Sequence, residues 1–180
     1  MSKLEYFKNN FIDYEDNFYI LDQNDAYVDN FAKQWKVYRD VQIDSINNFQ
    51  ISKNYLNEMC FNNDDILINK NILEIGSGAG RFTEYLSKSA RECVSVDLSS
   101  SIYYNISRGA KNITFIKADF NNLIPNKKFD IIFCRGVLQH TPNPLQSLLQ
   151  IHKFVKDNGF VLFDIYKMPK IGYAHPKYFF

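Results

Sequence analysis

The sequence predicts an α/β protein whose core is a doubly wound parallel sheet with helices on both faces. Five short apolar segments rich in β-branched residues lie between residues 71 and 166, amphipathic segments separate them, and the connections are short. This alternation is typical of parallel sheets built with right-handed crossovers. We therefore expect five parallel strands in the order 3-2-1-4-5, with the first strand at the centre.

Length and composition indicate a globular protein with one main core. The chain has 180 residues, 46% of them apolar and 23% charged, and its net charge of +1 gives no indication of nucleic-acid binding. We expect a cytoplasmic location without a membrane span, because no secretion signal and no apolar run of ~18 residues is visible. The cysteines Cys60, Cys93 and Cys134 are widely spaced, so we expect free thiols and no metal site.

Residues 1–65 are expected to form an N-terminal arm and a helical cap. Residues 1–25 show weak periodicity, which predicts a loosely ordered arm, whereas residues 26–46 show a helical period. One face of this helix carries a mostly aromatic stripe, formed by Phe31, Trp35, Tyr38 and Gln42. The stripe either packs the helix onto the core or belongs to a lid over a ligand. The candidate lid residues with polar groups are Gln34, Trp35, Arg39 and Gln42.

Residues 66–167 are expected to form the core, and residues 168–180 a C-terminal tail. The predicted strands are 71–75, 92–97, 112–118, 129–134 and 160–166, and the predicted helices between them are about 80–89, 99–108 and 143–156. The last helix is expected to bury Leu145, Leu148, Leu149 and Val155. Ser99 or Ser100 is the expected cap of the second helix, and Ser52 that of a short helix in the N-terminal cap.

The first core strand runs into a glycine-rich turn, residues 76–80, which predicts a small-ligand site. Glycines let a backbone approach a ligand closely, and the N-terminus of the following helix offers free N–H groups. The spacing G-x-G-x-G disfavours a nicotinamide site, because the third glycine of that fingerprint falls at Arg81. Glu74 lies in the buried strand and needs a partner, either a ligand ammonium or donors on the glycine loop.

Two carboxylates follow the next two strands. Asp97 ends the second strand, where it either binds both hydroxyls of a ribose or caps the next helix. Asp119, followed by Phe120, comes after the third strand and either accepts a hydrogen bond from adenine or starts a turn. Leu98, together with Val137 or Leu138, is expected to flank the adenine ring.

Four segments together resemble the successive motifs of class I S-adenosylmethionine-dependent methyltransferases. They are Leu73-Glu-Ile-Gly-Ser-Gly-Ala-Gly-Arg-Phe82, Val96-Asp-Leu-Ser-Ser100, Lys117-Ala-Asp-Phe120 and Phe129-Asp-Ile-Ile-Phe-Cys-Arg-Gly-Val-Leu-Gln-His-Thr-Pro142. The resemblance covers about residues 70–166 and implies a Rossmann-like fold, S-adenosylmethionine as cofactor and methyl transfer as activity. It also implies the cofactor-binding residues Glu74, Gly76, Ser77, Gly78, Gly80, Arg81, Phe82, Asp97, Leu98, Ser99, Asp119, Phe120, Arg135, Gly136 and Val137.

His140 is the candidate general base for an acceptor that must lose a proton, because it follows the fourth strand at the ligand-binding edge. The alternative is a hydrogen bond within its loop. The acceptor is expected to be a small molecule, lipid or sugar. In the resembling family a final β-hairpin usually follows the fifth strand, and only about fourteen residues follow Tyr166 here. We therefore expect either a partial fold that lacks part of its acceptor pocket, or an exposed fifth strand that is covered by self-association or by another chain. The alternative function is cofactor binding without turnover.

Overall fold

The computed structural model describes residues 4–14, 17–22, 38 and 40–166. The strands of this part are β1 (Ile12–Tyr14), β2 (Phe18–Ile20), β3 (Asn71–Ile75), β4 (Glu92–Asp97), β5 (Ile113–Lys117), β6 (Phe129–Cys134) and β7 (Val155–Phe163). The α-helices are α1 (Asp44–Asn47), α2 (Ile51–Met59), α3 (Thr83–Ser89), α4 (Ile102–Ile106) and α5 (Pro144–His152). Short 3-10 helices cover Asp64–Leu67, Phe120–Asn122 and Leu138–His140.

The described strands form one sheet in the order β1-β2-β5-β4-β3-β6-β7. The segment β5-β4-β3-β6-β7 is parallel throughout and reproduces the predicted order 3-2-1-4-5, so the fold class is confirmed. All five residues of β3 are buried, as expected for the central strand of a sheet covered on both faces.

The sequence predicts a loosely ordered arm at residues 1–25. This prediction is wrong for residues 12–20, where β1 and β2 form a hairpin. The strand β2 pairs in parallel with β5, and β1 pairs antiparallel with β2. Phe18, Tyr19 and Ile20 are all buried, which gives this short strand its stability. Upstream of the hairpin, the Tyr6 ring stacks on Phe129 with centroids 4.2 Å apart. The arm is therefore part of the core.

The last helix ends earlier than the sequence predicts, and the last strand both begins and ends earlier. The helix α5 ends at His152, and β7 begins at Val155 and ends at Phe163. The predicted turn at residues 157–159 lies inside this strand, where the pairing with β6 shifts in register between Phe129 and Ile131. Leu145 and Leu149 are 68% and 55% exposed, contrary to prediction. The buried residues of α5 are Ser147, Gln150 and Ile151.

The predicted serine caps are also corrected by the structure. Gln50, not Ser52, precedes α2, and Ser101 precedes α4 without a side-chain cap bond. Ser52 instead donates through Oγ to the carbonyl oxygen of Gln42 at 3.1 Å. The Ser52 hydroxyl thus joins two elements, whereas Oγ of Ser99 accepts from the Ser101 N–H at 3.3 Å just before α4.

The core has one layer on each face of the sheet. One layer packs α5 and the N-terminal arm against the sheet, and the other packs α2, α3 and α4 against it. The three cysteines are buried free thiols, as predicted. Within the described ranges, no helix is long and apolar enough to span a membrane, and no group of His, Cys, Asp and Glu could hold a metal ion.

Two predictions remain predictions after comparison with the structure. The candidate lid residues Gln34, Trp35 and Arg39 lie outside the described residues. The strand β7 lies at one end of the described sheet, and Phe160 and Phe163 on it are exposed. Self-association through this strand stays a prediction.

Candidate functional site

The glycine loop after β3 lies at the carboxyl edge of the sheet, where α/β folds bind their ligands. Gly76, Gly78 and Gly80 all have left-handed backbone angles, with φ of 73°, 53° and 96°. The Gly76 N–H donates to the Val96 carbonyl oxygen at 2.8 Å, which ties the loop to the neighbouring strand. Successive left-handed glycines turn the backbone sharply between β3 and α3.

Close contacts on both sides of the loop require two of these glycines. A Cβ at Gly76 would lie 2.1 Å from Cγ2 of Val137, so the loop after β6 packs directly on the glycine loop. A Cβ at Gly80 would lie 2.4 Å from Oδ1 of Asn105. Asn105 was not among the predicted site residues, and nothing in its local sequence marks it.

Asp97 at the end of β4 holds the glycine loop in place. Its Oδ2 accepts a hydrogen bond from the Gly78 N–H at 2.7 Å, and its Oδ1 accepts from N and Oγ of Ser99 at 2.8 and 2.6 Å. Burial raises the pKa of this carboxyl, while these bonds lower it. The carboxylate thus organises the turn before α4. It keeps lone-pair positions with which it could accept ribose hydroxyls.

Behind Asp97 lies a buried lysine that the sequence analysis missed. Lys117 ends β5 opposite Asp97, and its Nζ donates to the Leu98 carbonyl oxygen at 2.9 Å. Burial raises the pKa of Asp97, and the positive charge of Lys117 opposes that rise. The sequence could have indicated this role, because a lysine at the end of an apolar strand is expected to be buried and a buried lysine needs partners.

Asp119 starts a turn, as one of the two interpretations predicted. Its Oδ1 accepts from N and Nδ2 of Asn121, both at 2.9 Å, and caps the short 3-10 helix that contains the buried Phe120. Its N–H donates to Oδ2 of Asp22 at 2.8 Å, so the segment after β2 supports this loop. Oδ1 of Asn121 is buried without a partner in the described residues, which makes it a further candidate acceptor for a nucleobase.

Glu74 lies fully inside the sheet and has protein partners. Its Oε2 accepts from Oγ1 of Thr83 at 2.6 Å and from Oγ of Ser95 at 3.1 Å. Nδ2 of Asn105 donates to these two hydroxyls at 2.8 and 3.2 Å. Burial raises the pKa of Glu74 to about 7. These partners come from α3 and β4, not from the glycine loop as one alternative expected.

The loop itself keeps an unused polar atom. Oγ of Ser77 is buried and has no hydrogen-bond partner among the described residues. A buried hydroxyl without a hydrogen-bond partner is costly. Its presence in a ligand-binding turn is explained if a bound ligand supplies that partner. The loop therefore fits a polar cofactor at this position.

Arg81, Phe82 and Arg135 lie on the side of the loop that faces β6. Arg81 donates through Nε to Oγ of Ser52 at 2.9 Å and through Nη1 to Oε1 of Gln42 at 3.0 Å. These bonds join the glycine loop to the N-terminal cap. Gln42, one of the candidate lid residues, is thus in contact with the loop.

The loop after β6 brings His140 next to a tyrosine. Nε2 of His140 lies 2.7 Å from the Tyr166 hydroxyl, and burial lowers the pKa of the histidine. The Gly136 N–H donates to Oδ1 of Asp164 at 2.5 Å. Tyr166 and Asp164 were not predicted as site residues, because their roles depend on contacts between the ends of two strands.

Comparisons with known proteins identify the family of this chain. A family described as "Methyltransferase domain" matches residues 73–163. The ubiquinone biosynthesis O-methyltransferase of Hydrogenovibrio crunogenus is 29% identical over 53% of this chain and 42% of its own length. The malonyl-[acyl-carrier protein] O-methyltransferase 2 of Ilyobacter polytropus is 34% identical over 53% of this chain and 39% of its own length.

A solved structure has a similar fold. The phosphoethanolamine N-methyltransferase 1 of Haemonchus contortus, in complex with phosphoethanolamine and S-adenosylhomocysteine, superposes with a TM-score of 0.57. It is 24% identical, and the alignment covers 75% of this chain and 31% of that one. The chain spans about two fifths of the length of the curated relatives it matches. Because the family match covers half of the chain, the protein belongs to the methyltransferase-domain family, among the class I S-adenosylmethionine-dependent methyltransferases.

Proposed function

We propose that this protein transfers the methyl group of S-adenosylmethionine to a hydroxyl oxygen of an acceptor molecule. The observation that carries the proposal is the convergence of three ligand-binding features on neighbouring strand ends. The glycine loop follows β3, Asp97 ends β4, and the turn at Asp119 follows β5. This arrangement suits an extended ligand with an amino-acid part, a ribose and a base.

The residues of the loop and of the two turns would hold the cofactor. The free hydroxyl of Ser77 would bind the methionine part near Glu74, and Asp97 would bind the ribose hydroxyls. Asp119, Asn121 and Phe120 would surround the adenine. When bound, S-adenosylmethionine supplies an activated methyl group on a sulfonium sulfur. The protein has to align an acceptor with it and exclude water.

His140 would act as the general base for the acceptor hydroxyl. Because burial lowers its pKa, the imidazole is neutral at neutral pH and able to accept a proton. Tyr166, 2.7 Å away, would fix the orientation of the ring and the position of its protons. An oxygen acceptor agrees with the names of the two curated relatives, both of them O-methyltransferases.

Transfer from labelled S-adenosylmethionine to a panel of phenols, sugars and fatty alcohols, with amines as comparison, tests the proposal. We expect label in a hydroxyl acceptor. His140→Gln should lower kcat about 100-fold without changing the affinity for S-adenosylhomocysteine. The control is His152→Gln at an exposed position of the last helix, which should behave as wild type.

The pH dependence gives a second readout. Protonation of His140 removes the base, so kcat should rise with pH through a pKa below the usual histidine range and be constant at neutral pH. Label found only in amines would contradict an oxygen acceptor. Tight binding of S-adenosylhomocysteine without any transfer would instead indicate a cofactor-binding protein without turnover.

A further inference from the structure

We propose that Arg81, Arg135 and Tyr55 bind an anionic group of the methyl acceptor, a carboxylate or a phosphate. The inference rests on the proposed function and adds to it the chemical class of the acceptor. It makes the two arginines determinants of acceptor specificity, although the family resemblance implies that they bind the cofactor.

Both guanidinium groups lie on the same two aromatic rings. Cζ of Arg135 is 4.3 Å from the centroid of the Tyr55 ring and 5.5 Å from that of Phe82. The corresponding distances for Arg81 are 5.4 and 5.1 Å. Two like charges are therefore held close together, and together with burial the charge of Arg135 lowers the pKa of Arg81. An anion between them would remove this repulsion.

Arg135 has donors that the described protein does not use. Its side chain is only 21% exposed, and its Nε lies 3.5 Å from Oδ2 of Asp164. The described residues supply no hydrogen-bond acceptor for its two terminal amino groups. Stacking on an aromatic ring satisfies the face of a guanidinium and leaves its N–H edge available. Such an edge matches the two oxygens of a carboxylate or phosphate.

The nearby carboxylates also accept hydrogen bonds from other donors. Asp164 accepts from the Gly136 N–H at 2.5 Å. Asp44 on the other side accepts from the N–H groups of Ser52 and Lys53 at 3.1 and 3.0 Å and from the Tyr85 hydroxyl at 3.0 Å. Neither carboxylate therefore serves only to neutralise the arginine pair.

The position of the pair favours the acceptor over the cofactor. Arg135 follows β6, whereas Asp97 and the turn at Asp119 follow strands on the other side of β3. Tyr55 is 40% exposed, so the pair lies where a ligand could reach it from solvent. His140 and Tyr166 belong to the same end of β6 and β7. An anion held at this point would place the rest of the acceptor near the candidate base.

Calorimetric titration of the S-adenosylhomocysteine-loaded protein with benzoate and with neutral benzamide tests the proposal. We expect benzoate to bind at least about tenfold more tightly than benzamide, and Arg135→Gln to abolish that preference. Arg135→Lys should keep part of that preference, because lysine retains the positive charge but lacks the planar pair of N–H donors of the guanidinium. The matched control is Arg91→Gln at the opposite edge of the sheet, which should keep the full preference. Circular dichroism confirms that each variant is folded.

Further measurements distinguish a failure of the proposed function from a failure of the proposed anion site. If wild type binds no S-adenosylhomocysteine, the proposed function fails by itself, and the same two probes are then compared on the protein without cofactor. Equal affinity for benzoate and benzamide, or an equal loss in Arg91→Gln, would overturn the anion site. If Arg135→Gln weakens S-adenosylhomocysteine about tenfold but not 5′-methylthioadenosine, the arginines bind the carboxylate of the cofactor, and the acceptor assignment is wrong.

Discussion

Asp97 combines two tasks in one carboxylate. It fixes the backbone of the glycine loop through Gly78 and the start of the next helix through Ser99. The two interpretations of the sequence are therefore compatible, because a carboxylate can accept several hydrogen bonds at once. The same contacts mean that a substitution at this position changes the loop as well as any ribose contact.

Asp97→Ala is expected to weaken binding of S-adenosylhomocysteine by more than about 1 kcal/mol, because an acceptor for the ribose and an anchor of the loop are lost together. Calorimetric titration measures the change. Asp157→Ala, on the exposed side of β7, is the control and should bind like wild type. Unchanged affinity in Asp97→Ala would refute the ribose assignment.

Glu74 is the second residue whose environment has a measurable consequence. Its folded pKa of about 7 lies above the ordinary value of 4.5. Between these two values the folded state binds more protons than the unfolded state. The contribution of Glu74 to stability is therefore fully present below about pH 4.5 and is lost as the pH rises through about 7.

Glu74→Gln is expected to remove this pH dependence. Relative to the variant, wild type should lose on the order of 3 kcal/mol of unfolding free energy between about pH 4.5 and 8, because a shift of one pKa unit corresponds to about 1.4 kcal/mol. Urea unfolding at both pH values measures it. Glu58→Gln on the exposed face of α2 is the control. Parallel pH profiles for wild type and Glu74→Gln would contradict a raised pKa.

Among the elements, the turn between β3 and α3 is defined by its contact with the loop after β6. Gly76 and Gly109 both have left-handed backbone angles, with φ of 73° and 68°. Only Gly76 faces a neighbour, since a Cβ at Gly109 would meet nothing within 4 Å. Alanine substitutions at these two glycines therefore separate the energetic cost of backbone strain from that of close packing.

Gly109→Ala is expected to cost about 1 kcal/mol of unfolding free energy, the strain of a left-handed alanine. Gly76→Ala should cost at least about 2 kcal/mol more, because its Cβ would overlap Val137. Urea unfolding of both variants gives the comparison. Equal losses would show that the loop after β6 does not pack on the glycine turn.

The elements that the sequence predicts well are those with a continuous local signal. Residues 71–75, 92–97 and 129–134 are strands with the predicted bounds, because buried parallel strands are nearly continuous apolar runs. The strand β7 was misplaced, because residues 157–159 have the composition of a turn and yet lie within a strand. They fall in the register shift between the two parts of β7 that pair with β6, a tertiary effect that local propensity cannot reveal.

At the scale of the whole molecule, the N-terminal arm extends the sheet and closes one layer of the core. Phe7 is buried, and its ring lies 6.2 Å from that of Phe129 and 6.0 Å from that of Phe154. The Tyr6 hydroxyl donates to Oε2 of Glu92 at 2.7 Å. Three-residue strands are too short to show a period, so the sequence did not predict this role.

Phe7→Ala is expected to lower the unfolding free energy by about 3 kcal/mol, since it removes a buried aromatic ring from the core. Ile12→Ala, at an exposed position of β1, should cost less than about 1 kcal/mol. Denaturant titration measures both. A loss in Phe7→Ala as small as that in Ile12→Ala would mean that the arm is not part of the cooperative core.

The residues of the candidate site, like the elements of the fold, divide into those that the local sequence predicts and those that it does not. Ser77, Asp97 and Asp119 were predicted because each directly follows or ends a recognisable strand. Asn105, Asp164 and Tyr166 were missed, because their partners lie on other parts of the chain that only tertiary packing brings close. Asn121 was missed because only the structure shows that its Oδ1 is buried without a partner in the described residues. The part of the site that would hold the cofactor is therefore the part that motifs reveal.

The most direct test of the central claim is a calorimetric titration of the purified protein with S-adenosylhomocysteine and, separately, with NADH. The glycine spacing and the carboxylates at the ends of β4 and β5 predict saturable binding of S-adenosylhomocysteine with one site per chain, and no binding of NADH. Saturable binding of NADH together with no heat from S-adenosylhomocysteine would contradict the assignment of this site.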